Sequence, residues 1–387
     1  MEEEAAKNSL LPAILWRNSV DTAKIFCVNG DYLADISAVG ILDAMMGETY
    51  DYDIYPVINA QNLVIADLPA FVSENEEEMQ KRYSQSAQAV YQEIVWPSLT
   101  SIASRTGAKM TCMMTPQFTY TDEEEPDGEN VTYYLKRLKE EHAEAGLSAD
   151  SMEGIPLSEK IKQDQTFWQT YALSYRFLSL YADGVKSIGE ESALPAEIRT
   201  VALGSGASGQ AVGYLNENVT LQPSTSSGIR HTFLDDFKVK CMETALGYSN
   251  ITLDLYSVTY PEGDEDSWEK MSKKIAANLG TYWKAYEAFD ATTLTESDVR
   301  IRRFLALDYK QQRAGNVITL SLEHREDAAW FLLRLHGEKV TEVAGGSFEE
   351  IEDGVYLILA EEDEVSVEVQ TGETWQYQDG GKRGDGT

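Results

Sequence analysis

The strongest constraint on this chain is a change of hydrophobic period near residue 308. Before it, short apolar runs alternate with stretches of helical spacing; after it, only short strand-like runs remain. In the first part, residues 23–28, 52–59, 63–67 and 110–115 read as strands, while 36–46 and 131–145 read as helices, the second ending at Gly146. Residues 76–102 form one long amphipathic pattern that Pro97 is expected to end or kink. Farther on, 167–180 mixes both characters, 198–203, 219–222 and 251–258 are strand-like, and 235–246 and 267–289 are helical. Such alternation predicts an α/β fold, a parallel sheet or distorted (β/α) barrel over 13–307, opened by a strand-helix-strand segment at 13–62. Residues 317–322, 329–335, 338–343, 355–360 and 364–369, parted by acidic or glycine turns, predict a small C-terminal β-sandwich over 308–371. The last residues, 372–387, read as a linker or disordered tail.

Charge narrows the partners. The 387 residues hold 65 Asp plus Glu against 32 Lys plus Arg, a formal net charge of -33. Such a field repels phosphate backbones and anionic lipid surfaces, so nucleic acid is not an expected partner. A cationic ligand, such as a partly deacetylated amino-sugar polymer, suits it better, although the ordinary role of such charge is solubility. The three cysteines, Cys27, Cys112 and Cys241, lie far apart with no CxxC, so no disulfide framework or cysteine zinc site is encoded. The four histidines, His142, His231, His324 and His336, never fall at HxxxH spacing, which argues against a histidine-rich metal site. The start is acidic and not signal-like, and no stretch reaches the ~18 apolar residues of a membrane span. Both ends read as those of a soluble piece of a longer protein.

Few motifs carry chemistry. Gly204-Ser-Gly206-Ala-Ser-Gly209 is a literal GxGxxG after a strand-like run. The segment that follows makes a poor helix and brings no acid for a ribose, so a glycine-rich strand-end loop is expected instead of a dinucleotide site. His231, in Arg230-His231-Thr232, is the most plausible functional histidine, weighed against an ordinary hydrogen-bonded one. Carboxyl ends of barrel strands are where chemistry is usually placed. Asp31, Asp35, Asp67 and Asp254 each lie at or just beyond a strand-like run, where an acid is also a common cap or turn residue.

One set of segments resembles the polysaccharide deacetylase (NodB-like) family. A strand at Lys109-Met-Thr-Cys-Met-Met114 leads to the helix at 131–145 and then to Glu144-Ala-Gly146-Leu-Ser148-Ala-Asp-Ser-Met152. The family reads Glu-x-Gly-x-His-(Ser/Thr)-x-x-His there, both histidines binding the metal. In this chain those positions are Ser148 and Met152. The family's first motif, a strand ending in Asp-Asp, is closest to Leu63-Val-Ile-Ala66-Asp67-Leu-Pro69. On that alignment the base has become Ala66 and the ligand Asp67 remains. Trp96-Pro97 before Gly107-Ala-Lys-Met110, and Trp268-Glu before Thr293-Leu-Thr-Glu296, resemble further segments of deacetylase-like proteins of exopolysaccharide systems, so that the likeness spans about residues 20–305.

The resemblance implies a deacetylase-type barrel without metal or other cofactor, because serine and methionine cannot replace two imidazoles and alanine cannot accept a proton. It further implies an extracytoplasmic, catalytically inactive module that binds glycan or a partner protein in bacterial exopolysaccharide assembly, its parent membrane-anchored. The cleft would be lined by Asp31, Asp35, Asp67, Ser148, Asp150, Met152, Arg230 and His231. Trp16, Trp96, Trp168, Trp268, Trp283 and the 21 tyrosines are the candidates for sugar stacking. The rival reading is an active carbohydrate esterase or glycoside hydrolase with a displaced site, drawing on Asp31, Asp67, Asp150, Asp254 and His231.

Overall fold

The computed structural model describes residues 15–21, 23–120, 126–150, 155–172, 175–184, 188, 194–204 and 211–371. The chain divides into two units, residues 1–42 with 58–302 and residues 43–57 with 303–387. Met152, most of the GxGxxG string, and 372–387 lie outside the described residues.

The first unit opens with an antiparallel hairpin of β1 (Leu15–Val20) and β2 (Ala23–Val28). After β3 (Tyr52–Val57), a strand of the second unit, come β4 (Ala60–Ala70), β5 (Met110–Thr115), β6 (Glu144–Ser148), β7 (Ser179–Ala182) and β8 (Thr200–Leu203). β9 (Gly213–Tyr214), β10 (Thr220–Pro223), β11 (Ser226–Ser227), β12 (Tyr248–Asp254) and β13 (Ala291–Thr292) complete the sheet. Its order is β11-β12-β4-β5-β6-β7-β8-β10-β9, with β13 beside β4; every pair is parallel except β9 with β10. The ladder stays open between β10 and β11, so no closed barrel forms. It curls nonetheless: Asn62 of β4 donates to Gln222 of β10 at 3.0 Å, although four strands lie between them in the sheet.

Both faces of this sheet are buried, which is why its strands read as unbroken apolar runs. On the outer face Leu63, Ile65, Met110, Cys112, Ile251 and Leu253 join the helices in one large core. On the inner face Val64, Ala66, Met113, Tyr181, Ala202 and Leu294 form a small one. Toward the amino ends of the strands the interior turns polar and is closed by the start of the helix Leu294–Ala306. There Thr293 and Glu296 cap each other's backbone N–H groups, Asn62 donates to Ser297 Oγ, and Thr220 Oγ1 donates to Asp298.

Two local expectations change. The helix predicted to run to Gly146 stops at Glu140, and Glu144–Ser148 is a buried strand. Gly146 is needed inside that strand, because a Cβ there would collide with Met113 Sδ and Ser179 Oγ. Pro97 does not end a helix; it sits in the first turn of the helix Trp96–Thr106, where its missing N–H costs nothing, after a π-helical turn at Tyr91–Val95.

The second unit holds two four-stranded sheets. One runs β14-β15-β20-β17, from β14 (Asp308–Ala314), β15 (Val317–Glu323), β17 (Glu338–Ala344) and β20 (Glu364–Thr371). The other runs β18-β19-β16-β3, from β16 (Ala329–Leu335), β18 (Gly346–Glu352) and β19 (Val355–Ala360). Alternate residues of both sheets, among them Ile318, Leu320, Phe331, Leu333, Ile358 and Val367, share one apolar cluster. β3 joins this unit by pairing antiparallel with β16, so residues 43–57 leave the N-terminal segment in which periodicity had put them. Strand period shows that 52–57 is extended; it carries no information on which sheet takes it.

Candidate functional site

At the carboxyl ends of the curled sheet four aspartates face one another. Asp67 lies in a bulge of β4, where pairing with β5 slips between Ala66 and Ala70. Its backbone is left-handed, φ 59°, a strained geometry for an aspartate in a strand. Asp67 is buried there, 1% exposed. Ser148, ending β6, donates its hydroxyl to Asp67 Oδ1 at 2.6 Å and accepts the Asp150 N–H at 3.2 Å. Asp150 follows β6, Asp183 follows β7 and Asp254 ends β12.

The acids raise one another's proton affinity. Burial, then Asp150 and Asp254, hold the Asp67 carboxyl well above the usual range, against the opposing pull of Ser148 and Lys160. Asp150 is pushed up to about 7 by burial and by the Asp254 and Asp183 charges, with the Asp183 N–H and Lys160 opposing. Asp254 reaches solvent although protein surrounds it; burial and the Asp183 charge raise it, with the Tyr256 N–H (2.9 Å) and Arg230 opposing. Lys160, almost fully buried on the helix Leu157–Tyr171, bonds Asp164 at 2.8 Å and Thr115 Oγ1 at 3.3 Å. It supplies positive potential to this face without pairing with the four acids.

The remaining expected residues fall elsewhere or at the edge. Asp31 and Asp35 shape the turn before the helix Ala38–Gly47, where Asp35 Oδ1 accepts the Ser37 N–H at 2.8 Å. Arg230 is exposed, 3.8 Å from Asp266, and its charge is felt at Asp254. His231 Nδ1 lies 2.6 Å from Ser226 Oγ, and its ring stacks on Tyr282 with centroids 3.6 Å apart. Burial lowers its pKa, so it is a neutral, packed imidazole; Asp235 and Asp236 oppose that shift. Trp96, Trp268 and Trp283 are core, Trp168 packs against it, and Trp16 lies on the exposed β1–β2 hairpin. Aromatics described in the carboxyl-end loops include Phe118, Tyr256 and Tyr260, with Tyr256 and Tyr260 stacked 5.1 Å apart.

Sequence reasoning missed Asp183, Tyr181 and Lys160. Asp183 obeys the rule that picked Asp67 and Asp254, an acid closing an apolar run, but the mixed pattern of 167–180 hid where β7 ends. Lys160 carries no pattern signal at all.

In sequence, residues 5–154 match a family described as uncharacterised proteins conserved in bacteria (DUF2194). No curated protein matches the chain. Among solved structures, it is similar to a candidate glycoside hydrolase/deacetylase from Parabacteroides distasonis at 9% identity and a TM-score of 0.36. That likeness covers 72% of this chain and 82% of the other. It is also similar to an endo-β1,6-glucanase at 10% identity and a TM-score of 0.32, over 89% of this chain and 90% of that one.

A deacetylase-type metal centre does not fit the residues described. Ser148 stands where an imidazole nitrogen would be required, and its hydroxyl donates to Asp67, the surviving position of the family's ligand set. Among the described residues, no three His, Cys, Asp or Glu side chains group closely enough to hold an ion. No helix among them is long and apolar enough to cross a membrane.

Proposed function

We propose that this chain is a carbohydrate-active hydrolase working through carboxylates alone, with Asp150 as general acid and Asp254 as general base. One observation carries this reading: two acids at the carboxyl ends of one curled sheet, on strands with two others between them, have surroundings that separate their roles. Asp150, at about 7, still holds a proton near neutrality, whereas Asp254, though also raised by burial and Asp183, reaches solvent and has the Tyr256 N–H and Arg230 opposing the rise. Two carboxyl groups of unlike proton affinity are the minimum machinery for cleaving a glycosidic bond. Asp150 delivers its proton to the leaving oxygen as the carbon–oxygen bond breaks. Asp254 takes a proton from the water whose oxygen joins the anomeric carbon. Exchange with solvent then returns both acids to their starting states.

The resemblance to deacetylase-like proteins and the net charge of -33 make a partly deacetylated amino-sugar exopolysaccharide the first substrate class to test. In this reading the module works outside the cytoplasm within an exopolysaccharide system, and the paired sheets of the second unit form a β-sandwich. A second reading, glycan or partner binding without turnover, is favoured by Ala66 and Ser148 at the positions of the family's base and ligand.

Incubation with partly deacetylated amino-sugar oligosaccharides and with neutral β-glucan oligosaccharides, followed by assay of reducing ends and acetate, separates these. We expect reducing ends from the wild type and a loss of about 100-fold or more in Asp150→Asn. Binding with no new reducing ends supports the second reading, and acetate release by the wild type overturns both.

A further inference from the structure

Tyr181 has no role in the chemistry above, yet it stands beneath it. Strand alternation sends Ser179 and Tyr181 of β7 inward, and Leu180 and Ala182 into the core on the other side. The ring packs with Val64, Ala66, Met113 and Ala202 and is 2% exposed. Its hydroxyl points toward the acid group: Asp150, Asp254, Asp67 and Asp183 all act on it electrostatically. A Cβ added at Gly204 would come 2.7 Å from this oxygen and 2.8 Å from Asp183 Oδ1, so the absence of a side chain keeps both groups clear.

Buried tyrosine hydroxyls normally find a partner. Tyr91 bonds the Leu255 carbonyl and Thr259 Oγ1, and Tyr248 the Pro223 carbonyl. Among the described residues Tyr181 has no such partner, and its oxygen is not one of the polar atoms sealed from solvent. A donor held in place and left unpaired, aimed among four acceptors, is a binding group waiting for a ligand atom.

We propose that the Tyr181 hydroxyl is a substrate-binding group, donating to an oxygen of a sugar ring seated over Asp67, Asp150, Asp183 and Asp254. The proposal rests on the hydrolase reading. A hydroxylated ring presents both donors and acceptors; an ionised carboxylate only accepts, the Asp150 proton goes to the leaving oxygen, and Tyr181 supplies a further donor for the ring. Burial and the surrounding carboxylates hold its own proton well above the ordinary phenol range, so it remains a donor wherever the acids titrate.

The test is calorimetric titration of the full chain with a protonated iminosugar (a hydroxylated piperidine), for the wild type, Tyr181→Phe, Gly204→Ala and Asp150→Asn. Thermal melts confirm that each is folded; Phe retains the ring and its packing. We expect Tyr181→Phe to bind about tenfold more weakly, with the pH midpoints of binding unmoved because the acids set them. Gly204→Ala should weaken binding at least as much. Wild-type affinity in Tyr181→Phe, together with lost binding in Asp150→Asn, overturns the proposal and leaves the hydrolase reading standing. No binding and no cleavage by the wild type overturns both.

Discussion

The two ends of the curled sheet treat their acids in opposite ways. At the amino ends Asp298 and Glu144 are each met by two side-chain donors. Asp298 accepts from Thr220 Oγ1 at 2.7 Å and Arg302 Nε at 2.8 Å, and Glu144 from Ser179 Oγ and Thr295 Oγ1, both at 2.6 Å. At the carboxyl ends Asp150 and Asp254 raise Asp67, Asp254 and Asp183 raise Asp150, and Asp183 raises Asp254, while the buried cation on this face, Lys160, is already held by Asp164. Satisfied acids stabilise a fold; mutually repelling ones cost stability and are retained where chemistry needs them. The same residue type thus serves architecture at one end and a site at the other.

The sharpest way to break this contrast is to neutralise one acid at each end. Asp150→Asn should abolish turnover, on the order of 100-fold or more, while its melting temperature at pH 8 equals or exceeds that of the wild type. Asp298→Ala should lower stability by about 2–3 kcal/mol, because Thr220 Oγ1 and Arg302 Nε each lose this buried acceptor, with turnover per folded molecule unchanged. Equal losses of stability in both variants would erase the distinction.

A smaller effect follows from pH. Asp150 titrates near 7 in the folded chain and near 4 when unfolded. The native state therefore holds a proton between those values that the unfolded chain has lost, and stability falls as pH rises through this window. Buried Glu243, pushed up to about 8 by desolvation, extends the fall. Urea midpoints from pH 4 to 8 should drop in the wild type and drop less in Asp150→Asn. Parallel curves would mean that Asp150 is not perturbed. The smallest contrast is steric. Gly146→Ala in β6 should cost about 1–3 kcal/mol, whereas Gly213→Ala, with open space at its Cβ, should stay within about 0.5 kcal/mol by the same urea assay.

Much of the fold was legible because burial on both faces leaves a direct mark. β5 reads Met-Thr-Cys-Met-Met-Thr and is buried throughout, and the strands after 308 alternate as half-buried strands must. Where two signals overlapped, the reading slipped. Residues 144–148 continue the helical pattern of 131–140 and become a strand only because β5 and β7 flank them. The site was legible in part. Strand-end acids pointed to Asp67 and Asp254, but the same rule offered Asp31 and Asp35, whose turn lies apart from that group.

Local chemistry along the chain was enough to determine the period change near 308, the apolar strands and the shortage of histidine. These depend on neighbours a few residues away, and the sequence holds them directly. Tertiary structure alone decided that β3 pairs with β16, that Ser148 meets Asp67 across 81 positions, and that Gly204 clears space for Tyr181 and Asp183. Those relations depend on which strands become neighbours when the sheet curls, and on the slip in β4 that turns one aspartate inward. Hydrophobic period is blind to both.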